Sequence, residues 1–131
     1  MRPAVATVFV YGTLRSDERV AALLDDYSWE GTAVLEGLHR VASRYPTLVP
    51  GGSVEGRLLE TPQLDQLDDY EGVDRGLYVR VSIPIDAGDT AEVFIGDPER
   101  LGVGDSWPGT GPFRPRVERY LETHEMSLRR L

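Results

Sequence analysis

A single glutamate, Glu71, lies where a carboxyl group could exchange protons with a substrate. Leu64 and Leu67 have the spacing of the apolar face of a short helix, and Gly72 is suited to end that helix. Glu71 follows at helical spacing, so we expect it to project from the same face toward the interior. Burial and the negative end of the helix dipole both raise the pKa of a carboxyl group, as a general acid and base near neutrality requires.

Two ordinary roles for Glu71 remain open. The side chain could fray into solvent at the end of its helix, or it could form a salt bridge to an arginine such as Arg80. Glutamates are common at protein surfaces. The spacing alone therefore does not choose between these roles and acid–base catalysis.

A second candidate site is the segment Tyr11, Gly12, Thr13 and Leu14, which follows a run typical of a buried strand. Gly12 permits a positive φ, so consecutive backbone N–H groups could converge on one point beside the start of a helix. Such a nest suits a carboxylate or a phosphate. An ordinary tight turn between strand and helix uses the same residue types, and a lone Gly-Thr pair favours that plainer interpretation.

Other residues carry weaker signals. Tyr78 and Arg80 share one face of a strand, where they could line a pocket or form the solvent-exposed face of an edge strand. Trp107, in a segment rich in glycine and proline, could act as a lid or pack that segment down. Tyr45-Pro46 could form part of the rim of the same pocket. The sequence leaves these alternatives open.

The elements that must position these residues indicate an α+β domain. Because hairpin strands dominate, we expect a curled or barrel-like sheet rather than a doubly wound one. The whole chain, 1–131, is predicted to form a single domain. The predicted strands are Val5–Val10, Gly31–His39, Val54–Glu60, Leu77–Ile85 and Thr90–Gly96; the predicted helices begin after Ser16, after Thr61 and near Arg116; and the predicted loops are Tyr45–Thr47, Pro50–Gly52 and Asp97–Pro115.

The composition excludes several kinds of chemistry. With no cysteine among its 131 residues, the chain can form no disulfide, thiolate nucleophile or cysteine metal site. All 14 basic residues are arginine, which excludes Schiff-base and P-loop lysine chemistry. His39 and His124 are far apart in the sequence, and no EF-hand spacing is present. Binding of a metal by carboxylates alone remains open.

Charge and hydropathy limit the partners. The net charge of −8 opposes binding to nucleic acid, which requires clustered Lys or Arg. The apolar run Ala4–Tyr11 is too short to span a bilayer and has no small-residue cleavage site. We expect a cytoplasmic protein that binds neither nucleic acid nor membrane. The acidic, lysine-free composition fits either a GC-rich genome or adaptation to high salt.

Five short segments of the sequence, which include the two candidate sites, together resemble the γ-glutamylcyclotransferase-like superfamily. The resemblance is to its AIG2-like and γ-glutamylamine cyclotransferase branch in particular. The match extends over about Val5–Gly96. The Y-G-T-L and L-D-x-Y-E-G pair is specific in its order and separation, whereas either motif alone is not. The blocks that carry the resemblance are Val8–Arg15, Tyr45-Pro46, Val54–Glu60, Leu64–Gly72 and Leu77–Arg80.

The resemblance implies a small mixed β-barrel with two to three flanking short helices and a cavity that holds both motifs. It also implies that Glu71 is the catalytic acid and base, and that Tyr11, Gly12, Thr13 and Leu14 bind substrate, largely through backbone amides. The implied reaction releases 5-oxoproline from a γ-glutamyl amine or γ-glutamyl amino acid by intramolecular attack, without metal or cofactor. A monomer or a homodimer is expected.

A function of another class fits the same resemblance. A domain that keeps the barrel and the pocket could bind or sense a small molecule without processing it. The segment after Gly96 matches nothing in the family pattern, so the identity of the released amine is not indicated by the sequence.

Overall fold

The computed structural model of the chain describes residues 5–41, 46–86, 88–104 and 107–131, so the candidate rim residue Tyr45 lies outside the described part. None of the helices described is long and apolar enough to cross a membrane. The strands are β1 (Ala6–Val10), β2 (Ser28–Val41), β3 (Thr47–Thr61), β4 (Tyr78–Ile85), β5 (Asp89–Gly96) and β6 (Ser127–Arg130); the helices are α1 (Asp17–Leu23), α2 (Leu64–Glu71) and α3 (Phe113–Thr123), with 3₁₀ turns at Thr13–Arg15 and Val73–Arg75.

The six strands close into a barrel in the order β1-β3-β2-β6-β4-β5. Two neighbouring pairs, β1 with β5 and β4 with β6, run parallel, and the other pairs are antiparallel. The expected small mixed barrel with three flanking helices is therefore confirmed.

Alternation of side chains along the strands fills the barrel interior. In β4, Val79, Val81, Ile83 and Ile85 are all buried in one cluster, as a period of two predicts for a strand with one face on the core. Burial of such side chains is the main term that stabilises the barrel. Other members of this cluster are Phe9, Tyr11, Leu35, Leu38, Leu48, Leu58, Val93, Ile95 and Leu128.

A second apolar cluster holds two helices against the outside of the barrel. Val20 of α1 and Leu67 of α2 are fully buried there, together with Leu14 from the first 3₁₀ turn. On the strand side they meet outward-facing residues such as Val8 and Phe94. This cluster fixes the end of β1 and the helix that carries Glu71 on the same side of the barrel.

One predicted loop is part of a strand. Pro50, Gly51 and Gly52 lie within β3, which the sequence predicts to begin only at Val54. The left-handed φ values of Gly51 and Gly52, 103° and 66°, accommodate a bulge, where the register against β2 shifts between Glu36 and Leu38. Glycines at these positions let the strand continue rather than end.

The boundaries of two helices also differ from the predictions. Strand β6 was not predicted from the sequence. Helix α2 begins at Leu64, because the Thr61 hydroxyl accepts a hydrogen bond from the Gln63 N–H (3.0 Å) in a turn that precedes the helix. Helix α3 begins at Phe113, three residues before Arg116, with Pro115 in its first turn where a missing N–H is tolerated. Only four residues long, β6 is ordered by its neighbours β2 and β4.

Trp107 packs into the core. Its side chain is 1% exposed, and its indole N–H donates to the Leu48 carbonyl at 3.0 Å. The rings of Phe113 and Tyr120 meet it edge-on, with the Tyr120 centroid 5.3 Å away. Of the two roles left open by the sequence, packing is confirmed, since Trp107 does not line the cavity described below.

Replacing Trp107 by alanine should lower the free energy of unfolding by about 3–5 kcal/mol, since a buried cavity is left and a buried carbonyl loses its donor. Denaturant unfolding monitored by circular dichroism measures the loss. Trp29→Ala is the control, because Trp29 is only partly buried beneath the Arg57 guanidinium. Equal losses in the two variants would contradict a core role for Trp107.

Candidate active site

The segment that follows β1 is anchored by the side chain of Tyr11. This residue is buried, and its phenol donates a hydrogen bond to the Phe94 carbonyl of β5 at 2.5 Å. Burial raises the pKa of Tyr11 well above its usual value, and neighbouring Tyr78 and Glu71 raise it further. Tyr11 therefore stays a neutral hydrogen-bond donor that fixes the loop to the barrel.

The expected positive φ at Gly12 is wrong. Its φ is −119°, and a Cβ placed on Gly12 would meet Pro46 at 3.5 Å, an ordinary contact distance. The space beside Pro46 therefore does not by itself require a glycine at this position.

Free backbone amides nevertheless occur in this segment. In the first 3₁₀ turn, Arg15 N–H donates to the Gly12 carbonyl at 3.1 Å, whereas among the described residues the N–H groups of Gly12, Thr13 and Leu14 donate to no backbone carbonyl in turns or loops. Ser16 then begins α1 as expected, its hydroxyl accepting from Arg19 N–H at 3.3 Å. The turn thus offers N–H groups that a ligand oxygen could accept from.

Glu71 is the last residue of α2. Gly72 ends the helix in the left-handed conformation (φ 69°, ψ 37°), as the sequence predicts. The fully buried Leu67 lies one turn earlier, so Glu71 faces the same side and is itself partly buried. Loss of hydration raises the pKa of the Glu71 carboxyl group to about 7.

The salt-bridge alternative for Glu71 is wrong. Arg80 pairs instead with Asp68 of the same helix, with Nε and Oδ1 3.2 Å apart. Among the described residues, no salt bridge involves Glu71. Its carboxyl group lines a cavity instead of fraying into bulk solvent.

Tyr78 is a cavity residue that sequence reasoning left undecided. It is 7% exposed, and its phenol donates to the Pro46 carbonyl at 2.8 Å. Burial and the nearby Glu71 raise its pKa, so it remains protonated. Gly96, its partner on β5, provides room for the ring, since a Cβ there would lie 2.8 Å from it. The sequence did contain a signal for this cavity position, because Gly96 lies on the strand that is predicted to pair with the strand of Tyr78.

One cavity of about 730 Å³ brings the candidate residues together. Its volume lies in the range usual for small-ligand sites. Tyr11, Gly12, Thr13 and Leu14 line it together with Glu71, so the two motifs that are distant in the sequence meet there. The remaining lining residues are Phe9, Val10, Arg19, Pro46, Tyr70, Arg75, Leu77, Tyr78, Phe94, Arg100 and Leu101.

The cavity offers proton transfer and oxygen binding. The Glu71 carboxyl group, with a pKa near 7, can both accept and donate a proton at neutral pH. Within the described ranges, no three His, Asp or Glu side chains are grouped as metal ligands would be.

The free energy of unfolding should respond to Glu71 in a defined pH range. Because the folded pKa is about 7 and the reference value is 4.5, ionisation of Glu71 costs stability, and this cost grows as pH rises from about 4.5 to 7. Glu71→Gln should therefore be more stabilising, relative to the parent, at pH 8 than at pH 5. Denaturant unfolding at both pH values measures the difference.

Glu118→Gln is the matched control, because Glu118 is exposed on α3 and lines neither the cavity nor the core. It should change stability similarly at the two pH values. A stability difference between parent and Glu71→Gln that is the same at pH 5 and pH 8 would contradict a raised pKa for Glu71.

Several known proteins are similar to this chain in sequence or in fold. Residues 8–107 match the model of the family described as gamma-glutamyl cyclotransferase, AIG2-like. AIG2-like protein C of Arabidopsis thaliana is 35% identical over 97 residues, which cover 68% of this chain and 55% of that protein. A solved gamma-glutamyl cyclotransferase superposes with a TM-score of 0.59 at 16% identity, over 92% of this chain and 100% of that one. An AIG2-like protein from Mus musculus superposes with a TM-score of 0.58 at 27% identity, over 82% and 91% of the two chains.

These similarities differ in how much of each protein they cover and in sequence identity, so they support different conclusions. The matched segments span only 54–62% of the length of the curated relatives, so the activity of a whole relative does not transfer directly. The 16% identity of the solved cyclotransferase supports the fold alone. The family match, by contrast, covers most of the chain, including both motifs that line the cavity. The chain therefore belongs to the gamma-glutamyl cyclotransferase, AIG2-like family.

Proposed function

We propose that this protein is a γ-glutamyl cyclotransferase in which Glu71 is the catalytic acid and base. The observation that carries the proposal is a carboxyl group with a pKa of about 7, placed in a ligand-sized cavity beside the free amides of the Gly12–Leu14 turn. Membership of the cyclotransferase family supports the same reaction.

The proposed reaction moves protons from one nitrogen to another at one place. The α-ammonium of a γ-glutamyl group must lose a proton before its nitrogen can attack, and the leaving nitrogen must gain one. A carboxyl group whose pKa is near 7 is populated in both forms at neutral pH. Glu71 thus suits both transfers in turn.

The bonds change as follows in the proposed mechanism. Ionised Glu71 takes the proton from the α-ammonium, and the freed α-nitrogen bonds to the γ-carbonyl carbon of the same group, closing a five-membered ring. The carbonyl oxygen becomes an oxyanion and then reforms the double bond as the original C–N bond breaks. The leaving nitrogen takes the proton from Glu71 as this bond breaks. The ring nitrogen then gives its remaining extra proton to Glu71, which passes it to the released amine and returns to its ionised form. The products are 5-oxoproline and a protonated amine, and no other reactant is needed.

We assign to the turn after β1 the binding of substrate oxygen atoms. Gly12, Thr13 and Leu14 line the cavity, and their N–H groups are assigned to the α-carboxylate of the substrate or to the developing oxyanion. Tyr11 holds this turn through its bond to Phe94. Since the attack is intramolecular, the main remaining task is to hold the γ-glutamyl chain folded back on itself.

Glu71→Gln should reduce release of 5-oxoproline by at least ~10²-fold, because the amide keeps the shape of the side chain but cannot transfer the protons. A panel of γ-glutamyl amines and γ-glutamyl amino acids, with 5-oxoproline quantified after incubation, measures the loss. Glu118→Gln, which removes an exposed charge from α3, should retain the parent activity.

Full turnover by Glu71→Gln would show that another group moves the protons. No 5-oxoproline from the parent on the whole panel, with binding of a γ-glutamyl compound detected by calorimetry, would instead support the alternative of a binding domain on the same fold.

Gly12→Val should test the turn separately from Glu71. Because a Cβ at Gly12 already touches Pro46 at 3.5 Å, the two further methyl groups should push the turn amides out of position. We expect kcat/KM to fall at least about tenfold while the free energy of unfolding falls by less than about 2 kcal/mol. Gly104→Val is the control, since no atom of the described residues, chain neighbours aside, lies within 4 Å of a Cβ there. Unchanged kinetics in Gly12→Val would contradict the assigned role of the turn.

A further inference from the structure

The turn after β1 lies between two hollows in the protein surface. Gly12 and Thr13 line the cavity that holds Glu71, and they also line a second groove of about 720 Å³. Leu14 fixes one side of the turn by its burial in the second apolar cluster. Thr13 and Arg15 are exposed, so apolar burial does not fix this side of the turn. The geometry of the turn therefore depends on polar contacts there.

Arg57 of β3 reaches the turn from the neighbouring strand. It lies opposite Val10, the last residue of β1, in the antiparallel pairing of the two strands. Nη1 of Arg57 donates to the carbonyl of Arg15, the last residue of the 3₁₀ turn, at 2.7 Å. The same nitrogen pairs with Oδ1 of Asp17, the first residue of α1, at 3.0 Å. Arg57 thus connects the end of the turn and the start of the helix to the barrel.

The guanidinium of Arg57 is itself held in place. Its central carbon lies 3.5 Å from the centroid of the Trp29 ring, as in a cation stacked on an aromatic face. The side chain of Arg57 is 30% exposed. Because a stacked, planar guanidinium is already oriented, it loses little freedom when it donates hydrogen bonds. Arg57 therefore acts as a fixed donor rather than as a mobile surface charge.

The hydrogen bond from Arg57 to the turn carbonyl is a stronger constraint on the turn than the ion pair is. The side chain of Asp17 is 72% exposed, and ion pairs at such positions contribute little to stability. The carbonyl that Arg57 holds belongs to Arg15, whose own N–H donates to the Gly12 carbonyl at 3.1 Å. A displacement of Arg15 would therefore also displace Gly12 and the N–H groups that we assign to the substrate.

We propose that Arg57 is a positioning residue, which holds the Gly12–Leu14 turn in the geometry that binds the oxygen atoms of the substrate. This inference rests on the function proposed above. Arg57 is not among the described residues that line the cavity, so it acts through the turn rather than on the reacting atoms. Turn amides that are displaced from the substrate carboxylate bind it less tightly, while the proton transfers of Glu71 continue.

Arg57→Gln should raise KM at least about fivefold, because the turn amides no longer hold the substrate carboxylate in the best geometry. We expect kcat to fall by a smaller factor. The acidic limb of the pH profile of kcat/KM should stay near pH 7, since Glu71 keeps its burial. Steady-state kinetics with the panel compound that the parent turns over fastest measure these changes. The backbone amide NMR shifts of Gly12, Thr13 and Leu14 should also move in the free protein.

Two further variants separate the hydrogen bond from the charge. Asp17→Asn removes the ion pair but leaves the bond from Arg57 to the Arg15 carbonyl, so it should keep the parent KM. Arg57→Lys keeps the charge but not the planar fork, so it should raise KM by a smaller factor than Arg57→Gln. Arg57→Lys also guards against misfolding of Arg57→Gln, and a thermal melt checks each variant.

Arg129→Gln is the matched control. It also removes an arginine from an exposed ion pair, the one with Glu36, but on β6 and outside the cavity lining. We expect this variant to keep the parent KM, the parent kcat and the parent amide shifts of the turn.

The outcomes separate this inference from the proposed function. Parent KM and parent turn shifts in both Arg57 variants would overturn the positioning role and leave the cyclotransferase function standing. A lower kcat at the parent KM would indicate a loss of folded protein and would also overturn it. An equal rise of KM in Asp17→Asn would assign the effect to the ion pair instead. If the parent yields no 5-oxoproline from the whole panel, the cyclotransferase function fails, and the positioning role fails with it.

Discussion

The parallel pairing of β1 with β5 is the contact on which the position of the cavity depends. Parallel strands end at the same edge of a sheet, so the turn after β1 and the segment after β5, which holds Arg100, border one opening. The bond from Tyr11 to the Phe94 carbonyl holds the two strand ends together. Since β4 pairs with β5 on its other side, Tyr78 reaches the same edge from the start of its strand.

A partly buried carboxyl group at the end of a helix of eight residues requires support from the rest of that helix. Ionisation of Glu71 is opposed by burial, so α2 must be held by other contacts. Leu67 supplies apolar burial, and the pair of Asp68 with Arg80 ties the helix to β4. Arg80 thereby also neutralises a carboxylate that would otherwise face the barrel unpaired. The helix is therefore stabilised by residues next to Glu71 rather than by Glu71 itself.

The sequence predicts the parts of this site that depend on local patterns. Helical spacing places Glu71 on the Leu67 face, and the residue types of the first strand place Tyr11 at its end, as the structure shows. Features that depend on tertiary contacts were not predictable in the same way. The short β6 is ordered by its neighbours, and the bulge at Gly51 resembles a loop in the sequence. The negative φ of Gly12 does not follow from its residue type, which permits either sign. The partner of Arg80 could not be chosen from the sequence because Asp68 and Glu71 are both within reach of a strand packed on α2.

The arginines that line the cavity and the burial of Glu71 have opposite effects on the pKa of its carboxyl group. A guanidinium in close contact with Glu71 would stabilise its ionised form and lower its pKa. Burial instead dominates the pKa of Glu71, and Arg75 and Arg100 are exposed, where water and salt weaken their effect on a group at some distance. The pKa of Glu71 thus stays near neutrality although three arginines line the same cavity.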